Sequence, residues 1–558
     1  MESTVKLNKS DNSTQGRKLH TFFLESSARY PDAPAISVGI SERTYADVED
    51  TARRWASSLL KACPTAPQRV GILACRSEVG YIGVLAALFA GATFVPFNPK
   101  FPAQRTRSMM ELAALDALIV DKNSLKQFTE VIETLRRIHV VLLPDTDTFC
   151  MSSIGVRVLN RADLHKAKPL QQLPTVADDA YAYLLFTSGS TGQPKGVPIT
   201  HANVVHFLEV NQRRYQLTHE DRLTQTFDQT FDLSIFDLFM AWGSGACLCA
   251  MQPIQLLSPF RFVREKNITV WFSVPSIITL LRRKNLLKPA SLPSLRLSLF
   301  CGEALTKDSV EAWQCAAPNS IIENLYGPTE LTIACAAYRW HPVHSPKECF
   351  NGIVPIGRVY ENLHHLVVDE NLQPVRAGED GELCVAGAQT FPGYWNDCER
   401  TALSTFTRLD QNGNKQRYYR TGDRVRLVEN NYIYLGRMDR QIKVLGYRVD
   451  LGDIEVTLRA VPGVMEAVAL GWPINDEGNG EGYEGIVAFV SGNLQNAELL
   501  TAKARDCLPA YMVPRTIHVL DNMPLNANGK VARNLLYEKL GSSGLSMLTR
   551  VTPQLNNC

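Results

Sequence analysis

The sequence predicts an α/β protein: a large N-terminal domain of α/β layers with a β subdomain, then a small, mobile α+β C-terminal domain. Three observations predict this. At 558 residues the chain is too long for a single hydrophobic core. Over most of the stretch before Arg437, apolar strand-like runs alternate with helical stretches. After Arg437 a new hydrophobic pattern begins and restarts strand-then-helix.

Each element follows from its local text. The opening "MESTVKLNKSDNSTQGRK" is polar without an apolar centre, so it is not a secretory signal, and residues 1–18 read as a disordered end. "RVGILAC", "ALIVD", "VVLL", "TVWFSV" and "LRLSLFCG" read as buried parallel strands. The longest uncharged run lies between Glu78 and Lys100. Gly80, Gly83, Gly91 and Pro96 interrupt it, so it reads as a buried helix "YIGVLAALFA" ended by Gly91, then a strand "ATFVPF", not a membrane span. Near Gly381 the texture changes to "GELCVAG" and "NNYIYLG", short β pieces with turns. Beyond the boundary at 437–440, "EGIVAFV" and "RTIHVL" are strands and "NAELLTAKARDCL" a helix. The domains are therefore 19–437 and 438–540, with 541–558 as a tail.

Composition narrows the class. Hydrophobic residues make up 45% and charged residues 20%, with a formal net charge of +2. That is ordinary for a globular enzyme, and argues against a nucleic-acid groove or a polybasic membrane patch. The 13 cysteines are scattered, and Cys247-x-Cys249 in an apolar strand is not a zinc site. Reduced thiols in a cytoplasmic protein fit this usage.

The chemistry begins at "LLFTSGSTGQPKGV", Leu184 to Val197. Gly and Ser are ordinary loop material, so a solvated surface loop is one reading. A phosphate cradle is the other: glycines let backbone N–H groups approach an anion, hydroxyls add donors and Lys195 adds charge. It is not a Walker loop, because Gly189 and Gly192 are too close, Pro194 precedes the lysine and Gly196 follows it.

Further islands accompany this loop. They are "NLYGPTE" (Asn324–Glu330), "YRTGDRV" with Asp423, "GRMDRQIKVLGYRVDLGDIE" (Gly436–Glu455), "LPAYMVP" and "NANGKVARN". In this order they resemble the adenylate-forming superfamily, most closely the amino-acid-activating adenylation domains of nonribosomal peptide synthetases. The resemblance covers roughly residues 20–540. It implies attack of a carboxylate on the α-phosphate of ATP, release of pyrophosphate, and a need for Mg²⁺. Thr187, Ser188, Gly189, Ser190, Thr191, Gly192 and Lys195 would hold the β- and γ-phosphates. Gly302, Glu303, Ala304 and Gly327 would line the nucleotide site. Tyr326 would offer its face to adenine, Asn324 its amide to the adenine edge, and Asp423 its carboxylate to the ribose hydroxyls. Arg437 can reach ribose or phosphate, Thr329 the α-phosphate, and Glu330 suits Mg²⁺ as a hard oxygen ligand. Taken singly, each of these could be a core, turn or surface residue.

Lys530 is the implied catalytic lysine, a compact cation on a long stem that can bridge carboxylate and α-phosphate. Ala532 stands where many relatives have Asp. Asp439 falls at the implied hinge, and Lys443 to Gly446 would line a channel for a thiol arm once the small domain has turned. The stretch after Lys530 reads as too short for a carrier domain, and no condensation domain is expected ahead of residue 1. The expected partner is therefore a separate carrier protein, loaded in trans, and neither nucleic acid nor membrane.

The resemblance places Asp232, Leu233, Phe236, Phe272, Leu299, Cys301, Leu325, Ile333 and Ala334 around the substrate side chain. Asp232 is informative, because a carboxylate in an apolar pocket needs a cationic partner and the α-ammonium of an amino acid supplies one. The set is similar to that of L-proline-activating ligases that load peptidyl carrier proteins. L-Proline is the first choice. Another small apolar amino acid, or an acyl- or aryl-CoA ligase of the same superfamily, is the alternative.

Overall fold

The computed structural model describes residues 16–132, 137–148, 155–188, 194–410, 412–472, 482–494, 496–525, 531–541 and 550–551. The alternating strands form two sheets. In a seven-stranded sheet, Arg69–Leu73 is flanked by Ala117–Val120 and Thr93–Phe97, all parallel, and Lys195–Thr200 closes one edge antiparallel to Tyr181–Thr187. In a nine-stranded sheet, Ile321–Tyr326, Leu297–Phe300, Val270–Ser273, Arg222–Gln225 and Cys247–Ala250 run parallel in that order.

The uncharged run beginning at Glu78 is indeed the helix Glu78–Phe89 followed by the strand Thr93–Phe97. From Val79 to Phe89 every residue of that helix is buried, as are all ten of Leu233–Trp242. The two helices share one core that draws residues from both sheets, which explains why neither has a polar face. Ser77 caps the first helix, its hydroxyl accepting from Gly80 N. Among the described residues no helix is long and apolar enough to cross a membrane.

The β pieces after Gly381 form the third sheet, Leu363–Val368, Asp380–Gly387, Lys415–Val428 and Thr405–Leu409, with Asn431–Arg437 paired to Lys415–Val428. The chain then crosses Met438–Arg440 into the hairpin Gln441–Val444 and Tyr447–Asp450. The small domain's main sheet joins Val464–Gly471, Ile486–Gly492 and Thr516–Leu520. Alternate residues of its strands feed two clusters: Ala467, Ala469 and Ala488 pack with the hairpin, while Val468, Leu470 and Phe489 pack with Leu536.

Both ends differ from expectation. Arg17 lies over the Phe22 ring at 3.8 Å and pairs with Glu25 at 2.5 Å, so the folded domain starts before residue 19. Arg550–Val551, read as tail, pairs antiparallel with Thr516–Leu520, because that strand otherwise has a free edge.

Candidate active site

The site lies where loops leave the C-terminal ends of the parallel strands, the usual place for a ligand in such a sheet. Leu297–Phe300 leads into Cys301–Ala304, Ile321–Tyr326 into Gly327–Thr329, and Arg222–Gln225 into the turn that presents Asp232. All of these, with Thr187, Ser188, Leu325, Asp423 and Arg437, line one cavity of about 150 Å³. The hairpin residues Ile442, Lys443, Gly446, Tyr447 and Arg448 complete its wall.

The Gly/Ser segment connects two antiparallel strands, Thr187 opposite Lys195, so it closes a hairpin instead of opening a helix as a Walker loop does. Gly189, Ser190, Thr191 and Gly192 lie outside the described residues, as does Lys530. The segment that carries Lys530 is flanked by Leu525 and Val531, which bridge each other, and neither lines the cavity.

Lys195 is buried and its ammonium sits 3.2 Å from Glu330 Oε1. The Tyr394 hydroxyl donates to the same oxygen at 2.7 Å, and Arg448 Nη1 lies 2.9 Å from Glu330 Oε2. Burial alone would raise the Glu330 carboxyl, but Arg448 and Lys195 overcome it and hold the group well below the usual carboxylate range. Burial, with Arg448 close by, lowers Lys195 to about 8 against the pull of Glu330. Lys195 thus meets Glu330 here, where the sequence placed it on phosphate.

A second chain of contacts joins Tyr326, Asp423 and Arg437. Strand register sets Asp423 opposite Arg437. Arg437 Nη1 lies 2.7 Å from Asp423 Oδ1, and the Tyr326 hydroxyl donates to Asp423 Oδ2 at 2.5 Å. Arg437 Nε also donates to Asp439 Oδ1 at 2.9 Å, so the expected hinge residue is clasped to the large domain. Asn324 lines the cavity, but its amide nitrogen donates to Pro355 O at 3.0 Å and is committed to the fold. Glu303 is likewise committed: Ser276 N donates to it at 2.7 Å and Gly446 N at 2.5 Å.

Asp232 is buried at the N-terminus of the helix Leu233–Trp242. Burial raises its carboxyl to about 6, tempered by the Thr329 hydroxyl and by Lys443. Leu233, Cys301 and Leu325 share its cavity. Phe236, Phe272, Leu299, Ile333 and Ala334 do not line it: they are buried in the core cluster that also holds Leu233 and Cys301. The edge-to-face contact of Phe236 with Phe272, centroids 4.8 Å apart, fixes part of that layer.

Sequence reasoning missed Tyr394 and Arg448. The "GYR" text was in view for Arg448, but its partner lies 118 positions away. Nothing local marks Tyr394 in "FPGYWN". Glu330, held ionised, is a hard oxygen donor. Among the described residues no group of three or more His, Cys, Asp or Glu could hold a metal. A magnesium ion fits this donor set as one bound by a single carboxylate together with phosphate oxygens.

Fold and site together describe a large α/β domain and a small domain whose hairpin Gln441–Asp450 completes the wall of the cleft. The chain belongs to the AMP-binding enzyme family, which matches residues 23–395, with the AMP-binding enzyme C-terminal domain matching 453–530. It is 31% identical over 96% of its length to phosphinothricin tripeptide synthetase PhsC of Streptomyces viridochromogenes, covering 46% of that protein. It is 30% identical over 94% of its length to tyrocidine synthase 1 of Brevibacillus parabrevis, covering 45%. The chain thus spans less than half the length of these curated relatives. Among solved structures, the Vibrio cholerae adenylation domain AlmE, in complex with glycyl-adenosine-5'-phosphate, is 30% identical with a TM-score of 0.81, covering 97% of this chain and 100% of that one. IdnL7 is 36% identical with a TM-score of 0.69, covering 94% and 99%.

Proposed function

We propose that the protein activates an amino acid with ATP, forming an aminoacyl adenylate and pyrophosphate, and passes the acyl group to the phosphopantetheine thiol of a carrier protein. The carrying observation is the buried Asp232 carboxylate, which shares one cavity with Tyr326, Asp423 and Arg437. A carboxylate so placed needs a cation, and a substrate ammonium provides it. The AlmE likeness supports an aminoacyl substrate, and the synthetase relatives support a carrier acceptor. The apolar neighbours Leu233, Cys301 and Leu325 favour a small apolar side chain, and L-proline remains the first choice.

In this reading Asp232 orients the amino group so that the carboxylate faces the α-phosphate. Asp423 and Arg437 hold the ribose, and Thr187, Ser188 and Lys195 the phosphates. Lys530 steadies the developing charge as the two anions meet. Glu330 would hold a magnesium ion, whose charge would offset that of the phosphate oxygens. Attack makes the C–O–P linkage and breaks the bond to pyrophosphate. Thiol attack then expels AMP and leaves a thioester. Amino-acid-dependent ATP–pyrophosphate exchange across the twenty standard amino acids tests this, and exchange with none of them would refute it.

A further inference from the structure

The small domain holds two groups that phosphates and their metal need. Arg448 Nη1 occupies Glu330 Oε2 at 2.9 Å. Beside it, the Ser188 hydroxyl donates to Arg448 O at 2.8 Å and accepts from Asp450 N at 3.1 Å. Gln441 Oε1 accepts from Arg448 Nε at 2.5 Å and fixes the guanidinium. Glu330 is fully buried, and its other oxygen is already met by Lys195 and Tyr394.

A divalent ion binds a carboxylate oxygen at about 2.0–2.1 Å. Sharing Oε2 with a guanidinium in direct contact would bring two cations together in a site with little water to screen them, so each weakens the other's hold on Glu330. Emptying the site costs too, because a buried carboxylate stripped of one cation is strongly destabilised. The two cations therefore compete for Glu330.

We propose that Arg448 is a positioning residue that takes the divalent cation's place at Glu330, so that the small domain occupies this seat only after metal-bound pyrophosphate has left. The proposal rests on the adenylation reading of Glu330 and deepens it: the order of the two half-reactions is built into one carboxylate. Linkage makes the effect reciprocal. If metal–pyrophosphate unseats the small domain, the seated domain weakens metal–pyrophosphate binding by the same factor.

The test is hydrogen exchange of peptides spanning residues 441–450 in the full chain, with Mg²⁺ alone, pyrophosphate alone, and both. In the wild type both together speed exchange in this segment and either alone does little. Arg448→Ala exchanges fast under all conditions and binds Mg²⁺–pyrophosphate about tenfold tighter, within the usual range of coupled binding. Arg448→Lys falls between. Unchanged protection of Ile486–Gly492 shows that the variants fold. Wild-type protection indifferent to Mg²⁺–pyrophosphate overturns the proposal. So does Mg²⁺–pyrophosphate binding to Arg448→Ala that is equal or weaker, which would make Arg448 a pyrophosphate ligand. No amino acid enters this test. Failure of amino-acid-dependent exchange alone would sink the adenylation reading and leave the competition at Glu330 standing.

Discussion

At the scale of single residues, two carboxylates behave in opposite ways for stated reasons. Among the described residues no cation forms an ion pair with Asp232, and burial raises it to about 6 against the weaker pull of Lys443. In the free enzyme it is neutral below that pH and cannot attract an ammonium. The kcat/KM for the amino acid should therefore rise with pH through about 6 and level off above, since that parameter reports groups of the free enzyme. A flat profile across that range would contradict the role given to Asp232. Glu330 has two cations and is lowered. Its contribution to stability is complete above its unfolded value of 4.5 and is lost as pH falls through the lower folded value. Glu330→Gln leaves Lys195 and Arg448 facing a neutral amide, and should cost about 3–5 kcal/mol in urea unfolding. A loss below about 1 kcal/mol would mean the charges find other partners.

At the scale of elements, the hairpin Gln441–Asp450 is the part that moves most between sequence and structure. Gly446 sits at φ +84°, and a Cβ there would lie 2.4 Å from Val274 Cγ1. Gly446→Ala should therefore disturb this seat through both backbone strain and the clash. ATP–pyrophosphate exchange should survive in that variant, while thioester formation on a carrier protein falls at least about tenfold. Equal loss of both would mean the hairpin serves the first step as well. The strands and helices around the cleft were legible in the sequence, because buried parallel strands read as apolar runs and the helix Glu78–Phe89 ends at a glycine. The motif residues Thr187, Asn324, Tyr326, Asp423 and Arg437, far apart in the chain, line one cavity. What was not legible depends on contacts between distant elements. Arg448 on Glu330, Tyr394 on Glu330 and Gly446 on Glu303 carry no local signature. Phe236 and Phe272, expected around the substrate side chain, pack edge-to-face in the core cluster that also holds Leu233 and Cys301, and order along the chain does not say which way a buried side chain faces.

At the scale of the whole molecule, the two domains meet at a site that neither completes alone. The small domain brings Lys443 and Arg448 to it, and the segments flanking Lys530 lie elsewhere. Lys530→Ala should cripple adenylation while sparing transfer from supplied aminoacyl adenylate, measured as carrier acylation. Equal loss in both steps would contradict the division of labour. Asp232 is proposed to read the amino group of the substrate, and the most direct measurement compares L-proline with cyclopentanecarboxylic acid in ATP–pyrophosphate exchange. Removing one partner of a buried pair costs about 3–5 kcal/mol, or roughly two to three and a half orders of magnitude in kcat/KM. Wild type should prefer proline by about that factor, and in Asp232→Ala the preference should collapse while ATP affinity holds. Wild type using both acids equally well would contradict the account.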